Sequence, residues 1–367
     1  MANKFSYGTL VQGEYFTDRK EELIRIKQFL DSDNHLILIS PRRYGKSSLV
    51  RKCVEELGRP YVWLDLQYCI STASFTTQLL KATLAQYPME RLKHELRHFR
   101  IVPTVTINPA TNDYQFSFQP STAADTTMLE DVLALLQRLS TQEEKLIVVL
   151  DEFQEVRNID KNLDKQLRSI MQMQSGLNYI FMGSQEGMML EIFERKKSPF
   201  YHFGGLMRLN KIPYEEFYRF VLERLPEAPN KEETTRDILS FSSCHPYYTQ
   251  QLAFEVSNQI EGNHLHDDVV NYAILAVLHA HDLDYERLWE TFNNTDKGTL
   301  MQLSRNEKPL SNRGVATSTT FSSLKRLVKN GVVVRTEEYT LEDPFFSEWL
   351  KMKQNPVHHS SSPKSQQ

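Results

Sequence analysis

Cysteine is scarce in this sequence, and the few that occur lie far apart. Cys53, Cys69 and Cys244 are odd in number within 367 residues, so we expect neither a disulfide framework nor a zinc site built on paired cysteines. No apolar run approaches the roughly 20 residues that a membrane-spanning helix needs. Residues 1–15 also lack the apolar segment of a signal peptide. These absences predict a cytoplasmic protein without a membrane partner.

A strong charge of either sign is lacking as well. Lysine and arginine number 43 against 47 aspartate and glutamate, which gives a formal net charge of −4. This balance argues against a protein coated in nucleic acid, although it leaves room for a local basic patch. The length is sufficient for two or three domains of ordinary size. The 40% apolar and 25% charged residues are typical of a globular chain.

The sequence does contain a strand, a loop and a helix in the order that a phosphate-binding loop requires. Leu36 to Ile39 predict a short buried strand, and apolar periodicity predicts a helix from Lys46 to Leu57. Backbone N–H groups of such a loop converge on one anion. The lysine adds positive charge for the β- and γ-phosphates, and Ser47 offers a hydroxyl to Mg²⁺. The predicted nucleotide-binding residues are Ser40, Pro41, Arg42, Arg43, Tyr44, Gly45, Lys46, Ser47 and Ser48.

One part of the usual G-x-x-x-x-G-K-[ST] pattern is missing from this loop. Ser40 stands at the position of the first glycine, and Pro41 contributes no backbone donor. The tripeptide Gly45-Lys-Ser47 by itself is a weak signal, because it can simply begin a helix. The prediction therefore depends on a second half of the site.

That second half is a pair of carboxylates, Asp151 and Glu152, directly after the apolar run Leu146 to Leu150. Such a run suits a strand covered on both faces of a parallel sheet. Ligands of open α/β sheets bind at the carboxyl ends of the strands, so we expect these acids to face the loop. We predict that Asp151 binds Mg²⁺ together with Ser47, and that Glu152 polarises the attacking water.

A further buried strand is predicted from Leu177 to Gly183, and Ser184 and Gln185 follow it. A polar side chain at that end would touch the γ-phosphate or the attacking water. The alternative is a cap for the helix that begins near Glu186. Both interpretations stay open at the level of sequence.

The sequence predicts four parts. Residues 1–210 form an α/β core with a β-hairpin insertion near 103–119, and residues 211–284 form a helical lid. Residues 285–352 read as a winged helix, and the polar tail 353–367 is predicted to be disordered. The last helix of the lid is predicted from His266 to Leu283.

Several single residues have structural interpretations. Thr17 or Asp18 is the predicted N-cap of the first helix, and His245 is a predicted cap at the Pro246 helix. His94 and His98 have the i, i+4 spacing of metal ligands. We interpret them as a solvated helix face, on the expectation that no carboxylate or cysteine lies nearby.

The predicted winged helix carries one hydroxyl and three basic side chains that could meet DNA phosphates, namely Ser322, Lys325, Arg326 and Lys329. The predicted wing carries Glu337 and Glu338, and Glu342 and Asp343 follow it; these acids would repel DNA. We therefore favour an interdomain or protein-partner contact, or self-association, and keep DNA binding as the alternative.

The order of these parts resembles the archaeal-type ATPase family of the STAND group of P-loop NTPases, relatives of the AAA+ origin-recognition ATPases. The resemblance covers roughly residues 14–350 and is carried by Phe16-Thr-Asp-Arg19, Pro41-Arg-Arg-Tyr-Gly-Lys-Ser47, Val148-Val-Leu-Asp-Glu-Phe-Gln154 and Met182-Gly-Ser-Gln185. It implies an ASCE-type parallel sheet flanked by helices, with ATP or ADP and Mg²⁺ as ligands. It further implies that Lys46 holds the β- and γ-phosphates and that Ser184 or Gln185 is the first sensor.

Two departures from the family pattern affect the expected turnover. Ser40 replaces a common glycine, and Tyr201-His-Phe-Gly-Gly205 stands where many members carry a Gly-Arg pair. Arg208 lies near that position but outside the pattern. Because an absent arginine finger costs several orders of magnitude in turnover, we expect slow hydrolysis.

The leading functional hypothesis is an ATP-driven molecular switch that hydrolyses ATP slowly. One alternative is a DNA-binding regulator in which ATP has mainly a structural part. The other is a small-molecule or nucleoside kinase, which would share the phosphate-binding loop but need an acceptor.

Overall fold

A computed structural model describes residues 3–11, 13–17, 19–100, 104–107, 114–117, 122–141, 144–262, 268–309, 317–335 and 337–354. The chain divides into two compact units. We call Arg19–Pro41 with Lys46–Asn210 the sheet unit, and Met1–Asp18, Arg42–Gly45 and Lys211–Gln367 the C-terminal unit. The predicted four-part division stays a prediction, and residues 355–367 of the predicted tail lie outside the described residues.

The strands are β1 Leu36–Ile39, β2 Tyr61–Asp65, β3 Thr104–Ile107, β4 Tyr114–Ser117, β5 Leu146–Asp151, β6 Leu177–Gly183, β7 Gly205–Arg208, β8 Val333–Arg335 and β9 Tyr339–Leu341. The helices are α1 Lys20–Asp31, α2 Lys46–Leu57, α3 Thr72–Leu84, α4 Met89–Leu96, α5 Thr122–Leu139, α6 Val156–Ile159, α7 Leu163–Met171, α8 Glu186–Phe193, α9 Tyr214–Arg224, α10 Lys231–Ser242, α11 Pro246–Glu261, α12 Val269–Glu290, α13 Asn294–Ser304, α14 Thr317–Lys329 and α15 Pro344–Gln354.

The sheet unit is built on five parallel strands in the order β2-β5-β6-β1-β7. Every residue of β5 and β6 is buried, which explains their continuous apolar sequences. The register pairs Asp65 of β2 with Asp151 of β5, and Ile39 of β1 with Gly183 of β6. Carboxyl ends that are far apart in sequence therefore meet along one edge, and the predicted parallel sheet flanked by helices is confirmed.

The predicted hairpin insertion is also present. Strands β3 and β4 pair antiparallel, with Thr104 opposite Ser117 and Ile107 opposite Tyr114. The turn that joins them lies outside the described residues.

The predicted N-cap of the first helix is wrong. Helix α1 begins at Lys20, and its N-cap residue is Arg19, whose side chain forms no capping hydrogen bond; Asp18 itself lies outside the described residues. The reason is tertiary, because the buried Arg19 guanidinium donates to Glu22 Oε1 at 2.8 Å and to the Asn210 carbonyl at 3.0 Å. Local sequence chemistry could not indicate that anchor.

Two predicted helices need correction. His94 and His98 were predicted to share one helix face, but helix α4 ends at Leu96 and His98 lies beyond it. Helix α12 runs to Glu290 and passes the predicted boundary between residues 284 and 285. Tyr285 continues its apolar face, packing its ring 5.4 Å from the Phe346 ring. Burial of this aromatic face extends the helix beyond the predicted end.

Each unit has its own apolar core. In the C-terminal unit, α9 to α15 pack around residues such as Phe217, Leu252 and Phe345, and β8 pairs antiparallel with β9. Trp289 and Trp349 belong to this unit, whereas Trp63 belongs to the sheet unit. The winged-helix assignment stays a prediction. Within the described part of the chain, no helix is sufficiently long and apolar to cross a membrane.

Candidate nucleotide-binding and catalytic site

Lys46 is the first residue of α2, and its ammonium meets both predicted acids. Its Nζ lies 3.7 Å from Asp151 Oδ1 and 3.4 Å from Glu152 Oε1. The lysine side chain is only 8% exposed, so this charge is held in a largely dry environment. Residues separated by a hundred positions thus form one cluster, because the loop after β1 and the end of β5 lie at the same edge of the sheet. We call Lys46, Ser47, Asp151, Glu152 and Ser184 the strand-end cluster.

Ser47 and Asp151 lie together as a pair of oxygen donors. Ser47 Oγ donates to Asp151 Oδ2 at 3.1 Å. A hydroxyl and a carboxylate are the hard oxygen ligands that Mg²⁺ takes when it also binds substrate phosphates. The chemistry of this donor pair therefore fits the predicted metal.

The Asp151 carboxyl is buried, and the groups around it shift its pKa in opposite directions. Burial raises its pKa, the nearby Lys46 charge lowers it, and the charges of Glu152 and Asp65 raise it further. The net pKa lies above the ordinary value. A cation bound to this carboxylate would offset the cost of keeping it ionised in a buried position.

Glu152 is held by donors on both oxygens. Its Oε2 accepts from Ser184 Oγ at 2.6 Å and from Gln154 Nε2, while Oε1 faces Lys46. Burial alone would raise the pKa of this carboxyl, but the lysine charge and the two hydrogen bonds together hold the pKa below its ordinary value. Its backbone is left-handed, with φ 50° and ψ 44°, which is uncommon for a residue other than glycine. The outcome is an ionised carboxylate in a fixed orientation.

The amino-terminal part of the loop belongs to the sheet unit. Ser40 is 2% exposed, its amide donates to the Gly183 carbonyl at 3.3 Å, and its Oγ donates to the Pro41 carbonyl at 3.2 Å. Ser48 is buried in the first turn of α2. Serine at the position of the first glycine is thus accommodated by a local hydrogen bond.

The tip of the loop, Arg42–Gly45, belongs to the C-terminal unit. Arg43 and Gly45 have positive φ values of 65° and 82°. Arg43 Nη1 donates to Tyr248 Oη at 3.1 Å, and its guanidinium lies 4.6 Å from the Tyr247 ring centre. These contacts stabilise a left-handed arginine in the loop. The Tyr44 side chain is buried, whereas that of Arg42 is exposed.

Ser184 and Gln185 differ in what they contact. Ser184 joins the strand-end cluster through Glu152. Gln185 is the N-cap residue of α8 and forms no capping hydrogen bond with its side chain. Gln185 therefore occupies the predicted cap position without a capping side-chain bond, and of the two residues Ser184 is the one that contacts a predicted catalytic group.

Sequence reasoning missed two residues at this edge. Asp65 ends β2 as Asp151 ends β5, and it contributes to the raised pKa of Asp151. The strand-ending carboxylate was a usable signal, but the adjacency of β2 and β5 was not visible. Gln154 is fully buried and contacts Glu152. Gln154 ends one of the motifs that carry the family resemblance, but the motif did not indicate its contact with Glu152, since that contact depends on a left-handed turn.

Arg208 and the pair His94 and His98, which the sequence also singled out, contact residues outside the strand-end cluster. Arg208 donates to Glu186 Oε1 at 2.8 Å, and both side chains are about half exposed.

The interpretation of His94 and His98 assumed that no carboxylate lies nearby, and that assumption is wrong. Glu95 lies between them, with its ligand atom and theirs within 4.8 Å of one another. Glu95 is already paired with Arg138 at 2.7 Å.

The five-stranded parallel sheet, with a lysine-bearing loop after β1 and acids at the end of β5, defines a P-loop NTPase. Residues 16–252 match the family model described as an ATPase domain predominantly from Archaea. The chain belongs to this family and is a nucleotide-binding P-loop ATPase.

Solved structures support the fold. The Walker-type ATPase PABY2304 of Pyrococcus abyssi is 17% identical, with 93% of this chain and 97% of that chain covered and a TM-score of 0.65. The ORC2 protein of Aeropyrum pernix, solved as ADPNP-ADP complexes, is 15% identical over 95% of this chain and 99% of that chain, with a TM-score of 0.52. No curated protein sequence matches this chain.

Proposed function

We propose that this protein is a STAND-type molecular switch that binds ATP with Mg²⁺ and hydrolyses it slowly. The observation that carries the proposal is the ionised Glu152 carboxylate, placed beside Lys46 and next in sequence to the Asp151–Ser47 pair. The three cysteines form no disulfide, which fits a reducing compartment such as the cytoplasm.

Each side chain of the cluster has a proposed role. The Lys46 ammonium neutralises β- and γ-phosphate oxygens, and Ser47 with Asp151 holds Mg²⁺. The metal, when bound, would supply charge stabilisation on the phosphate oxygens. Glu152 accepts a proton from the water that attacks the γ-phosphorus. Ser184 holds Glu152 Oε2 at 2.6 Å and so orients that base.

Slow turnover is proposed because Tyr201-His-Phe-Gly-Gly205 stands where many family members carry a Gly-Arg pair. Arg208, the candidate nearest in sequence, forms its ion pair with Glu186. An arginine supplied by a protein partner or a second copy would then accelerate hydrolysis, which suits a switch that reports association.

The DNA-binding alternative receives less support. Arg326 forms two hydrogen bonds with the Asp296 carboxylate, at 2.9 and 2.6 Å. Ser322 Oγ donates to the Ser318 carbonyl at 2.9 Å. Two of the four groups that were predicted to meet DNA phosphates thus already bond within the chain. We therefore favour a protein partner for the predicted winged helix.

The test compares Lys46→Ala and Glu152→Gln with the unaltered protein. Lys46→Ala should abolish measurable ATP binding. Glu152→Gln should retain ATP but slow phosphate release by about 10²- to 10⁴-fold, the contribution typical of a general base. Isothermal titration and phosphate release without any acceptor measure both effects, and release without an acceptor also excludes the kinase alternative.

The control is Lys52→Ala, which removes another lysine of α2, one that pairs with Glu56 on the helix surface. It should leave binding and hydrolysis unchanged. Normal hydrolysis by Glu152→Gln, or normal ATP binding by Lys46→Ala, would contradict the proposed site.

A further inference from the structure

Gln154 is a buried amide that the roles given above do not use. It lies in the short turn Phe153–Glu155 directly after the acids, and its exposed fraction is 0%. Its Nε2 donates to Glu152 Oε2, the same oxygen that accepts from Ser184 Oγ. Two donors therefore engage one carboxylate oxygen and leave the other, Oε1, facing the lysine ammonium.

The other end of the Gln154 amide has no partner. Its Oε1 is buried and forms no hydrogen bond with any of the described residues. An unpaired buried acceptor is unfavourable, because it has lost its hydration without gaining a hydrogen bond. The opposite orientation of the amide would place this oxygen against the Glu152 carboxylate, which is worse because two acceptor oxygens would then face each other without a donor between them. The orientation of Gln154 is therefore set by Glu152 and not by the surrounding core.

The end of β6 leaves the space that this amide needs. A Cβ at Gly183 would lie 2.4 Å from Cγ and Sδ of Met189 and 2.6 Å from Gln154 Oε1, so both side chains occupy space that the glycine leaves open. Gly183 has no such atom, and the next residue is Ser184, the second donor to Glu152. The strand end thus makes room for one donor and supplies the other.

We propose that Gln154 is a positioning residue whose amide fixes Oε2 of Glu152, so that Oε1 is the oxygen that takes a proton from the attacking water. The proposal rests on the proposed function, because it concerns the orientation of the general base. It does not place Gln154 in contact with substrate.

The primary test replaces Gln154 with methionine, which has a similar length but no donor. Single-turnover phosphate release should slow by about 10- to 100-fold, the loss typical for removal of an orienting partner. The ATP dissociation constant should not change. The acidic limb of the pH–rate profile should move to higher pH, because a carboxylate that loses a donor binds its proton more tightly.

Gln154→Glu is the second variant, since it keeps the size of the side chain and decides the question if the methionine variant does not fold. Two adjacent carboxylates share a proton, so the acidic limb should move further than in Gln154→Met. The matched control is Gln166→Met on α7, another glutamine with an unpaired Oε1. It should alter neither the rate nor the pH profile.

An unchanged rate and an unchanged acidic limb in a folded Gln154 variant would overturn the proposal. If Glu152→Gln is inactive at the same time, the proposed function stands and only the positioning role fails. If Glu152→Gln itself hydrolyses ATP normally, the general base is misassigned and both fail.

Discussion

The two units each contain a cluster of charged side chains, and the charges of the two clusters have different partners. In the sheet unit, two acids share the ammonium of Lys46 at 3.4 and 3.7 Å. In the C-terminal unit, a cluster that we call the cap cluster joins His245, Glu342 and Asp343, and its donors are mainly backbone amides and hydroxyl groups.

The cap cluster fixes helix starts. His245 Nδ1 accepts from the amides of Tyr247 and Tyr248 at the start of α11, and its Nε2 donates to Glu342 Oε1 at 2.9 Å. Asp343 Oδ1 accepts from two amides at the start of α15, and Oδ2 accepts from Tyr285 Oη at 3.1 Å. The predicted role of His245 as a helix cap is confirmed.

Buried charge stabilises helix starts in the C-terminal unit, whereas in the sheet unit it is placed for the proposed chemistry. Donors that cap helices are lost only when the helix unfolds, so they contribute to stability. Burial raises the pKa of Asp151, and the charges of Glu152 and Asp65 raise it further against the opposing charge of Lys46, so this group is costly to keep ionised. Burial also raises the pKa of Asp343, but there the hydrogen bonds from Tyr285 and from the backbone amides oppose it. Changes in the two clusters should therefore have opposite signatures.

The largest expected effect is that of Asp151→Asn. We expect turnover to fall more than about 100-fold. Removing a residue that only hydrogen-bonds to a metal ligand already lowers activity about 10- to 100-fold. We also expect the midpoint of thermal unfolding to rise, because the variant removes a buried carboxylate whose pKa is raised. Steady-state ATPase assays and thermal unfolding on the same preparation measure the two effects.

Asp65→Asn serves as the control for that experiment, since it removes a neighbouring carboxylate whose pKa burial also raises. It should stabilise the protein without a comparable loss of turnover. A drop in unfolding temperature for Asp151→Asn would remove the contrast between the clusters.

A second prediction concerns pH, because each unit contains a histidine that burial keeps neutral. Burial, and then the charge of Arg168, lowers the pKa of His35 to about 4. Burial also lowers the pKa of His245, although its bond to Glu342 opposes this. The unfolded chain therefore takes up protons first, and stability is lost as pH falls from about 6.5 toward 4. For His35 the full loss is roughly 3 kcal/mol.

Urea unfolding at a series of pH values checks this prediction. His35→Asn, which keeps an acceptor near the Tyr179 amide, should lose less stability than the unaltered protein over that pH interval. Equal losses for the two proteins would contradict the assignment of His35 as a neutral buried group.

The smallest effect is expected for His245→Ala in the cap cluster. Loss of the cap and of the partner of Glu342 should reduce the free energy of unfolding by about 1 to 3 kcal/mol. Turnover per folded molecule should be unchanged, in contrast to Asp151→Asn. His279→Ala, an exposed histidine of α12, is the control and should alter neither. A selective loss of turnover in His245→Ala would mean that the cap cluster takes part in chemistry.

The features that sequence predicted are those set by local pattern and by the rules of parallel sheets. The apolar runs located β1, β5 and β6, and the strand ends then placed Lys46 near Asp151, as predicted. The predicted bounds of α2 agree with the structure, because the loop ends where the helix begins.

The features that sequence did not predict depend on strand order or on tertiary contacts. Asp65 reaches the same edge because β2 neighbours β5. Gln154 meets Glu152 because that residue adopts a left-handed backbone. Arg19 displaces the predicted cap because distant groups bind its guanidinium. The local sequence around Asp65, Gln154 or Arg19 does not indicate these tertiary contacts.

The placement of the tryptophans gives each unit its own optical reporter. Trp63 is the sheet unit's tryptophan, and the guanidinium of Arg51 lies 5.0 Å from its ring. Trp289 and Trp349 lie against each other in the C-terminal unit, with ring centres 6.4 Å apart. A Trp63→Phe protein would therefore emit from the C-terminal unit alone, and its fluorescence during denaturation would time the melting of that unit separately from the sheet.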